Sequence, residues 1–207
     1  MARPREFDEE AVLDAAIQRF WDGGFEATSV KDLTAETGLT AASLYNAFGD
    51  KRALYRMALD RYIETSIGAR IGRSEALPPR AAITTFFGDV LRRSLNDRQH
   101  KGCMVVNAAL EMAPHDSEFR DIIARALKRI EDFFRDAIEK GQADGTIVRA
   151  TPAAAMAQHL LGVLMGLRVL ARVRPERALL EGLVTTALAG LGDGADGVSG
   201  QSIGRFD

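Results

Sequence analysis

The chain is poor in the residues that carry chemistry. Its 207 residues include one cysteine, three histidines and one tryptophan. A single cysteine excludes an internal disulfide and any metal site built from several thiolates. The three histidines, His100, His115 and His159, leave little acid–base capacity. No Ser/His/Asp constellation, phosphate-cradling glycine loop or zinc motif is present. The expectation is therefore a protein that is not an enzyme and needs no metal or cofactor. A dominant charge is missing too: 27 Lys and Arg stand against 29 Asp and Glu, a net of −2, so no global basic field points to nucleic acid. The most apolar window, residues 153–171, is interrupted by Gln158, His159 and Arg168 and reads as a buried interface helix, not a membrane span. The N-terminus, MARPREFDEE, is charged and unlike a signal peptide, so a cytoplasmic protein with no membrane partner is expected.

What is present is a globular composition, 46% apolar and 27% charged, in a chain long enough for one or two domains. The informative stretch is residues 28–51, TSVKDLTAETGLTAASLYNAFGDK. Ahead of it, Arg3 and Arg5 flank a proline in an extended arm suited to phosphates or a minor groove; a frayed end with two solvated arginines is the alternative. Asp8 caps a first helix whose apolar stripe is Val12, Ala16 and Phe20 with Leu13, Ile17 and Trp21. Gly23 and Gly24 end it, and Phe25 packs back on the stripe. Ser29 or Thr28 caps a second helix, with Ser29 and Asp32 approximating a capping box. Gly38 supplies the positive φ of a tight helix–helix turn, Leu39 plugs the corner, and Thr40 caps a third helix, 41–48.

On that third helix Ala41, Leu44 and Phe48 are expected to face inward. Ala42, Ser43, Tyr45 and Asn46 face outward. Threonine and alanine at its start permit close approach and contact with thymine methyls; Asn46 can pair with adenine and Tyr45 can reach phosphate. Asp50 caps a fourth helix whose first turn holds Lys51, so a cation and a helix N-terminus meet the same phosphate. A plain αα-hairpin of a bundle leaves unexplained why so short a helix carries almost no outward charge between two caps.

The segment GFEATSVKDLTAETGLTAASLYNAFGDKRALY resembles the DNA-binding signature of the TetR family of transcriptional regulators: G-F-x-x-T-S-V, then G-L-T, then S-L-Y-x-x-F-x-x-K-x-x-L-Y in register. The resemblance implies an all-α homodimer of about nine helices. Its N-terminal three-helix head, with a helix-turn-helix, would bind a palindromic operator in double-stranded DNA. Its C-terminal helical domain would bind a small-molecule effector and dimerise. The expected division is 1–52 for the head, 53–191 for the effector and dimerisation domain, and a glycine-rich flexible tail at 192–207. The DNA contacts implied are Thr28, Thr40, Ala41, Ala42, Tyr45, Asn46 and Lys51, beside Arg3 and Arg5 of the arm. Ala41 stands where the family often has a basic residue, and Ala47 where it often has histidine. Residues 1–50 hold four basic groups against ten acidic ones, a local net of −6. The usable positives are expected to be the arm, Lys31, Lys51, Arg52 and Arg56. Non-specific affinity should then be modest and binding should rely on dimeric avidity.

The rest of the chain reads as helices. One runs from Lys51 to about Arg70, followed by a linker at 72–80. Another starts at Pro79, one ends at about Met112, and one capped by Asp116 runs to about Ala143. An effector pocket lined by Phe86, Phe87, Val90, Cys103, Met104, Asn107, Glu111, Phe134 and His159 would suit a small amphipathic molecule; a continuous core is the alternative. Cys103 reads as a small buried hydrophobe, as a thiol activated by Lys101, or as a Cu(I) ligand with His100, Met104, Met112 and His115. The segment GCMVVNAALEMAPHD resembles a TetR subgroup in which some members sense electrophiles, oxidants or copper. The last two helices start at Thr151-Pro152 and at Pro175. With Gly162 and Gly166 four apart, they should form a symmetric four-helix bundle between two copies. The expected function is an effector-released repressor. The alternatives are a thiol- or copper-responsive regulator using Cys103 and a small-molecule-binding helical protein that does not bind DNA.

Overall fold

Side-chain caps set the starts of the first four helices in the computed structural model, which describes residues 7–192. The arm with Arg3 and Arg5, and residues 193–207 of the tail, lie outside the described residues. Asp8 accepts the Glu10 N–H at 2.9 Å and starts α1 (Glu9–Ala27), which kinks at Gly24. Ser29 and Asp32 form the reciprocal capping box of α2 (Val30–Thr37). Gly38 takes the left-handed conformation, φ 71°, and Thr40 caps α3 (Ala41–Phe48). Asp50 accepts the Ala53 N–H at 2.7 Å and starts α4 (Lys51–Tyr62). A π-helical segment, Ile63–Gly68, follows without a break and leads into α5 (Ala69–Glu75). The chain continues with α6 (Pro79–Asn96), α7 (Met104–Glu111), α8 (Ser117–Asp144), α9 (Ala153–Val173) and α10 (Arg177–Ala189). Counting α4 to α5 as one, there are nine helices and no strands among the described residues.

Some expected boundaries move. The helix expected to stop near Arg70 continues to Glu75, so the linker at 72–80 shrinks to 76–78. Pro152 occupies the N-cap of α9, and α10 begins at Arg177 behind Glu176 instead of at Pro175. Proline presets φ for entry into a helix, and here it stands just outside each helix.

The chain falls into two compact units. The first comprises 1–66 and 103–124, so α7 belongs with α1–α4; the second comprises 67–102 and 125–207. This grouping differs from the expected boundary at 52/53. In the first unit the rings of Phe20, Phe25 and Phe119 surround Tyr55 at 4.8, 5.1 and 5.4 Å between centroids. Burial, and secondarily the Glu111 charge, push the Tyr55 phenol far above its ordinary pKa, so it stays neutral. Arg61 ties α4 to α1 through Asp14, at 2.6 and 3.0 Å, and through Glu10 at 3.3 Å. In the second unit α6 packs against α5, α9 and α10, and Phe86, Phe87, Phe133 and Phe134 form a ring cluster. Arg168 is buried there and donates to Ser94 Oγ at 2.9 Å and to the Gly102 carbonyl at 2.7 Å.

The Arg61 hydrogen bond holds the Asp14 carboxyl below its ordinary 3.8. A depressed folded-state pKa stabilises in full above the unfolded value and is lost as pH falls through the folded one. Arg61→Met should therefore cost less than about 1 kcal/mol at neutral pH, the pair being largely solvated. It should also remove part of the stability lost below pH 3.8. Thermal melts of both proteins across the acid range check this.

Candidate nucleic-acid interface

The exposed face of α3 is held from both ends. The Thr40 oxygen accepts the Ser43 N–H at 3.1 Å while its hydroxyl donates to Ser43 Oγ at 2.9 Å. Leu44 and Phe48 anchor the inner face at 1% and 4% exposure. Ala42, Tyr45 and Asn46 stand outward, Tyr45 with 41% of its surface exposed. Ser43 and Ala47 are half-buried. Ala41, expected to face inward as well as to touch DNA, is exposed. It lies in the first turn, ahead of the point where the helix meets its core at Leu44. The outward surface is small, neutral and able to enter a major groove, whose width admits an α-helix.

Thr28 differs from the rest of the expected contact set. It is wholly buried, and its hydroxyl donates to the Gly24 carbonyl at 2.6 Å, so it closes the turn after α1 instead of facing outward. Lys51 is half-buried: Nζ donates to the Glu26 carbonyl at 3.4 Å and lies 4.4 Å from the Phe25 ring centroid. That fixes its stem beside the N-terminus of α4, where an anion is favoured by the free N–H groups.

The neighbouring cations are largely committed. Arg52 bonds Glu118 at 2.6 Å and Asp116 at 2.8 Å, and these two carboxylates raise its pKa further. Arg56 pairs with Asp60 at 3.4 Å and Glu118 at 3.5 Å, and Arg19 lies 3.5 Å from Asp32. Arg52 and Arg56, expected to be usable positives, are thus neutralised within their own unit. Lys31 is exposed.

The expected effector-lining residues divide between the two units. Phe86, Phe87 and Phe134 are fully buried, Phe87 stacked on Phe134 and Phe86 edge-on to both, with Val90 at 2% exposure, while His159 is exposed on α9. In the first unit Met104 is buried and Asn107 half-buried. Cys103 is half-buried, with the Tyr62 hydroxyl 3.8 Å from its sulfur. The Glu111 carboxylate accepts the N–H groups of Phe25 and Glu26. Among the described residues no three His, Cys, Asp or Glu side chains cluster as a metal site. A feature that the sequence did not single out is an open cleft of about 420 Å³ between α5 and α8. Ile71, Gly72 and Phe133 line it, together with the cations Arg125, Lys128 and Arg129 and the carboxylates of Glu75, Asp132 and Asp136. Cations at helical spacing look like an ordinary solvated face in sequence, so nothing there pointed to a concavity.

Residues 12–58 match the family described as bacterial regulatory proteins, tetR family. Residues 79–187 match the tetracyclin repressor-like C-terminal domain. The chain belongs to the TetR family. It is a DNA-binding transcription regulator, with α2 and α3 as its helix-turn-helix. It is 31% identical over 191 residues to the uncharacterized HTH-type transcriptional regulator YezE of Bacillus subtilis, covering 91% of this chain and 98% of the relative. It is 29% identical over 187 residues to the HTH-type transcriptional repressor ComR of Escherichia coli, covering 89% and 88%. Among solved structures, a cysteine-substituted TetR regulator CifR complexed with 26 bp double-strand operator DNA superposes with a TM-score of 0.81 at 31% identity, over 92% of this chain and all of that one.

Two measurements check these placements. Tyr45→Ala should weaken binding to all sequences alike, whereas Asn46→Ala should relax the preference at one base pair by about 1–3 kcal/mol; a gel-shift series over single-base operator variants separates them. Phe134→Ala should cost about 3–5 kcal/mol in urea unfolding if the ring cluster is solid core. A cost well under half of that would mean that the ring borders open space.

Proposed function

We propose that this protein is a homodimeric repressor that holds a palindromic operator through α3 and is released from it by a small-molecule effector. The observation that carries the reading is the neutral outward face of α3, fixed between the Thr40 and Asp50 caps. Thr40, Ala41, Ala42, Tyr45, Asn46 and Lys51 are the contacts, with the arm bearing Arg3 and Arg5. The similarity to a named repressor and to a regulator complexed with operator DNA supports the same reading. A regulator of this kind acts in the cytoplasm, where the DNA is.

Dimerisation runs through α9 and α10. The apolar window of α9 has a mean hydropathy of 1.5, yet only 28% of it is buried within the chain. Val169 and Val173 are 45% and 68% exposed. A Cβ built on Gly162, Gly166 or Gly182 meets nothing within 4 Å, so no packing inside the chain requires glycine there. Close approach by the same helices of a second copy does require it. The effector acts by differential affinity: it binds better to a head spacing that does not fit two half-sites about one DNA turn, ~34–36 Å, apart. A small amphipathic molecule suits the second domain, but the ring cluster of Phe86, Phe87 and Phe134 is occupied by itself, so the ligand must displace packing or sit beside it.

Selection from random double-stranded DNA should recover a palindrome; recovery of no preferred sequence overturns the reading. Gly166→Leu should leave monomer folding intact but yield a monomer by light scattering. Operator affinity should then fall by about 10²–10⁴, the loss expected when two linked contacts become independent.

A further inference from the structure

The kink of α1 at Gly24 forms an anion-binding nest, and the protein fills it with its own carboxylate. Gly24 has φ 78° and ψ 177°, which aims the following N–H groups at one point. Phe25 N–H donates to Glu111 Oε2 at 2.9 Å, and Glu26 N–H donates to Glu111 Oε1 at 2.8 Å. A Cβ on residue 24 would lie 2.9 Å from Oε2 and 3.1 Å from Oε1. Glycine is therefore needed twice, for its dihedral angle and for the room that the carboxylate occupies. The Thr28 hydroxyl closes the same turn on the Gly24 carbonyl.

This turn is also what holds Lys51. The Glu26 carbonyl accepts from Nζ, and the Phe25 ring lies under the ammonium. Glu111 thus holds, through their N–H groups, the two residues whose carbonyl (Glu26) and ring (Phe25) support the cation. We propose that Glu111, on α7, is a positioning residue for DNA binding: it orders the 24–26 turn so that Lys51 presents its charge at the N-terminus of α4. A carboxylate suits this place because it accepts from both N–H groups, whereas an amide would turn an NH2 toward one of them. The assignment rests on the reading of Lys51 as a phosphate contact. It also gives α7 a direct bond to the head, so a shift of α7 by about the length of a hydrogen bond releases the turn.

Operator binding of the full chain is measured at several salt concentrations, with circular-dichroism melting to correct for the folded fraction. Lys51→Ala should lower the slope of log K against log[salt] by about one. Glu111→Gln should lower it by a similar amount and weaken binding about tenfold, within the range of ordinary site-to-site coupling. The double variant should lose no more than Lys51→Ala alone. Gly24→Ala, which drives a methyl into the carboxylate, is the second variant and should behave as Glu111→Gln. If Lys51→Ala leaves slope and affinity unchanged, the phosphate reading of Lys51 fails. If Lys51→Ala lowers the slope while Glu111→Gln and Gly24→Ala change only the melting temperature, that reading stands and the positioning role is overturned.

Discussion

The head of this regulator depends on one backbone angle. After fifteen residues of helix, Glu9 to Gly23, the chain must change direction before α2 starts with its capping box in place, and it does so by the kink of α1 at Gly24, φ 78°. Any side chain there would pay for a left-handed conformation and collide with Glu111. Three groups from three places in the sequence then fix the turn: Thr28 from the next residues, Lys51 from α4 and Glu111 from α7. The direction of α2 follows from it, and through the Gly38 corner so does the face that α3 turns outward. A DNA-reading surface needs side chains placed to within fractions of an ångström, and such placement comes from interlocked short-range bonds more than from hydrophobic packing, which is non-directional.

Electrostatics in the head work against the usual expectation for a DNA-binding protein. Residues 1–50 carry an excess of six negative charges. Arg52, Arg56 and Arg61 spend their charge on Asp116, Glu118, Asp60, Asp14 and Glu10. These pairs are solvated and contribute little to stability individually. Their larger effect is to remove positive charge from the potential that DNA would feel. With few phosphates neutralised, the expected sequence-independent affinity is low and its salt dependence shallow. Specificity gains from this, because it depends on the gap between specific and non-specific binding, and a weak non-specific term widens that gap for a given set of base contacts.

How much of this was legible in the sequence follows the range of each interaction. The caps at Asp8, Ser29, Thr40, Asp50 and Asp116, and the turns at Gly24, Gly38 and Gly145, rest on neighbours within a few residues, so the pattern shows them. The bonds of Glu111 were not legible for the opposite reason. Glu111 bonds a turn 86 residues away, and no local pattern distinguishes a carboxylate in a nest from one lining a pocket. Arg52 and Arg56 were counted as free cations because Asp116 and Glu118 lie far off in sequence, on α8 and its cap; the Arg56–Asp60 pair alone is local. The π-helical segment was readable in principle. Leu54, Ala58, Tyr62, Ser66, Arg70 and Ser74 are all buried and four residues apart, and beside them the apolar Tyr55, Leu59, Ile63, Ile67 and Ile71 show the same spacing in the sequence. An α-helix overshoots by about 40° at every such step, so a face kept for twenty residues must be rewound somewhere. The wider turn at Ile63–Gly68 takes up part of that drift.

The apolarity of α9 has to be matched to its surroundings. By length and hydropathy alone it is a helix that could cross a membrane. Its polar groups argue otherwise: Arg168 is buried and bonded to Ser94 and Gly102, which places it in a protein core, and Gln158, His159 and Arg172 stand exposed along the same helix. A spanning helix would have to carry Gln158, His159 and Arg168 within its apolar length at considerable cost. A helix that lies against its own unit on one side and against a second copy on the other has to be apolar nearly all round, with small residues wherever the two copies come closest. Gly162, Gly166 and Gly182 meet that second requirement, and nothing inside the chain asks for them. The proposed dimer therefore accounts for the composition of α9 and for the position of its glycines together. The avidity that so acidic a head needs would come from the same pairing.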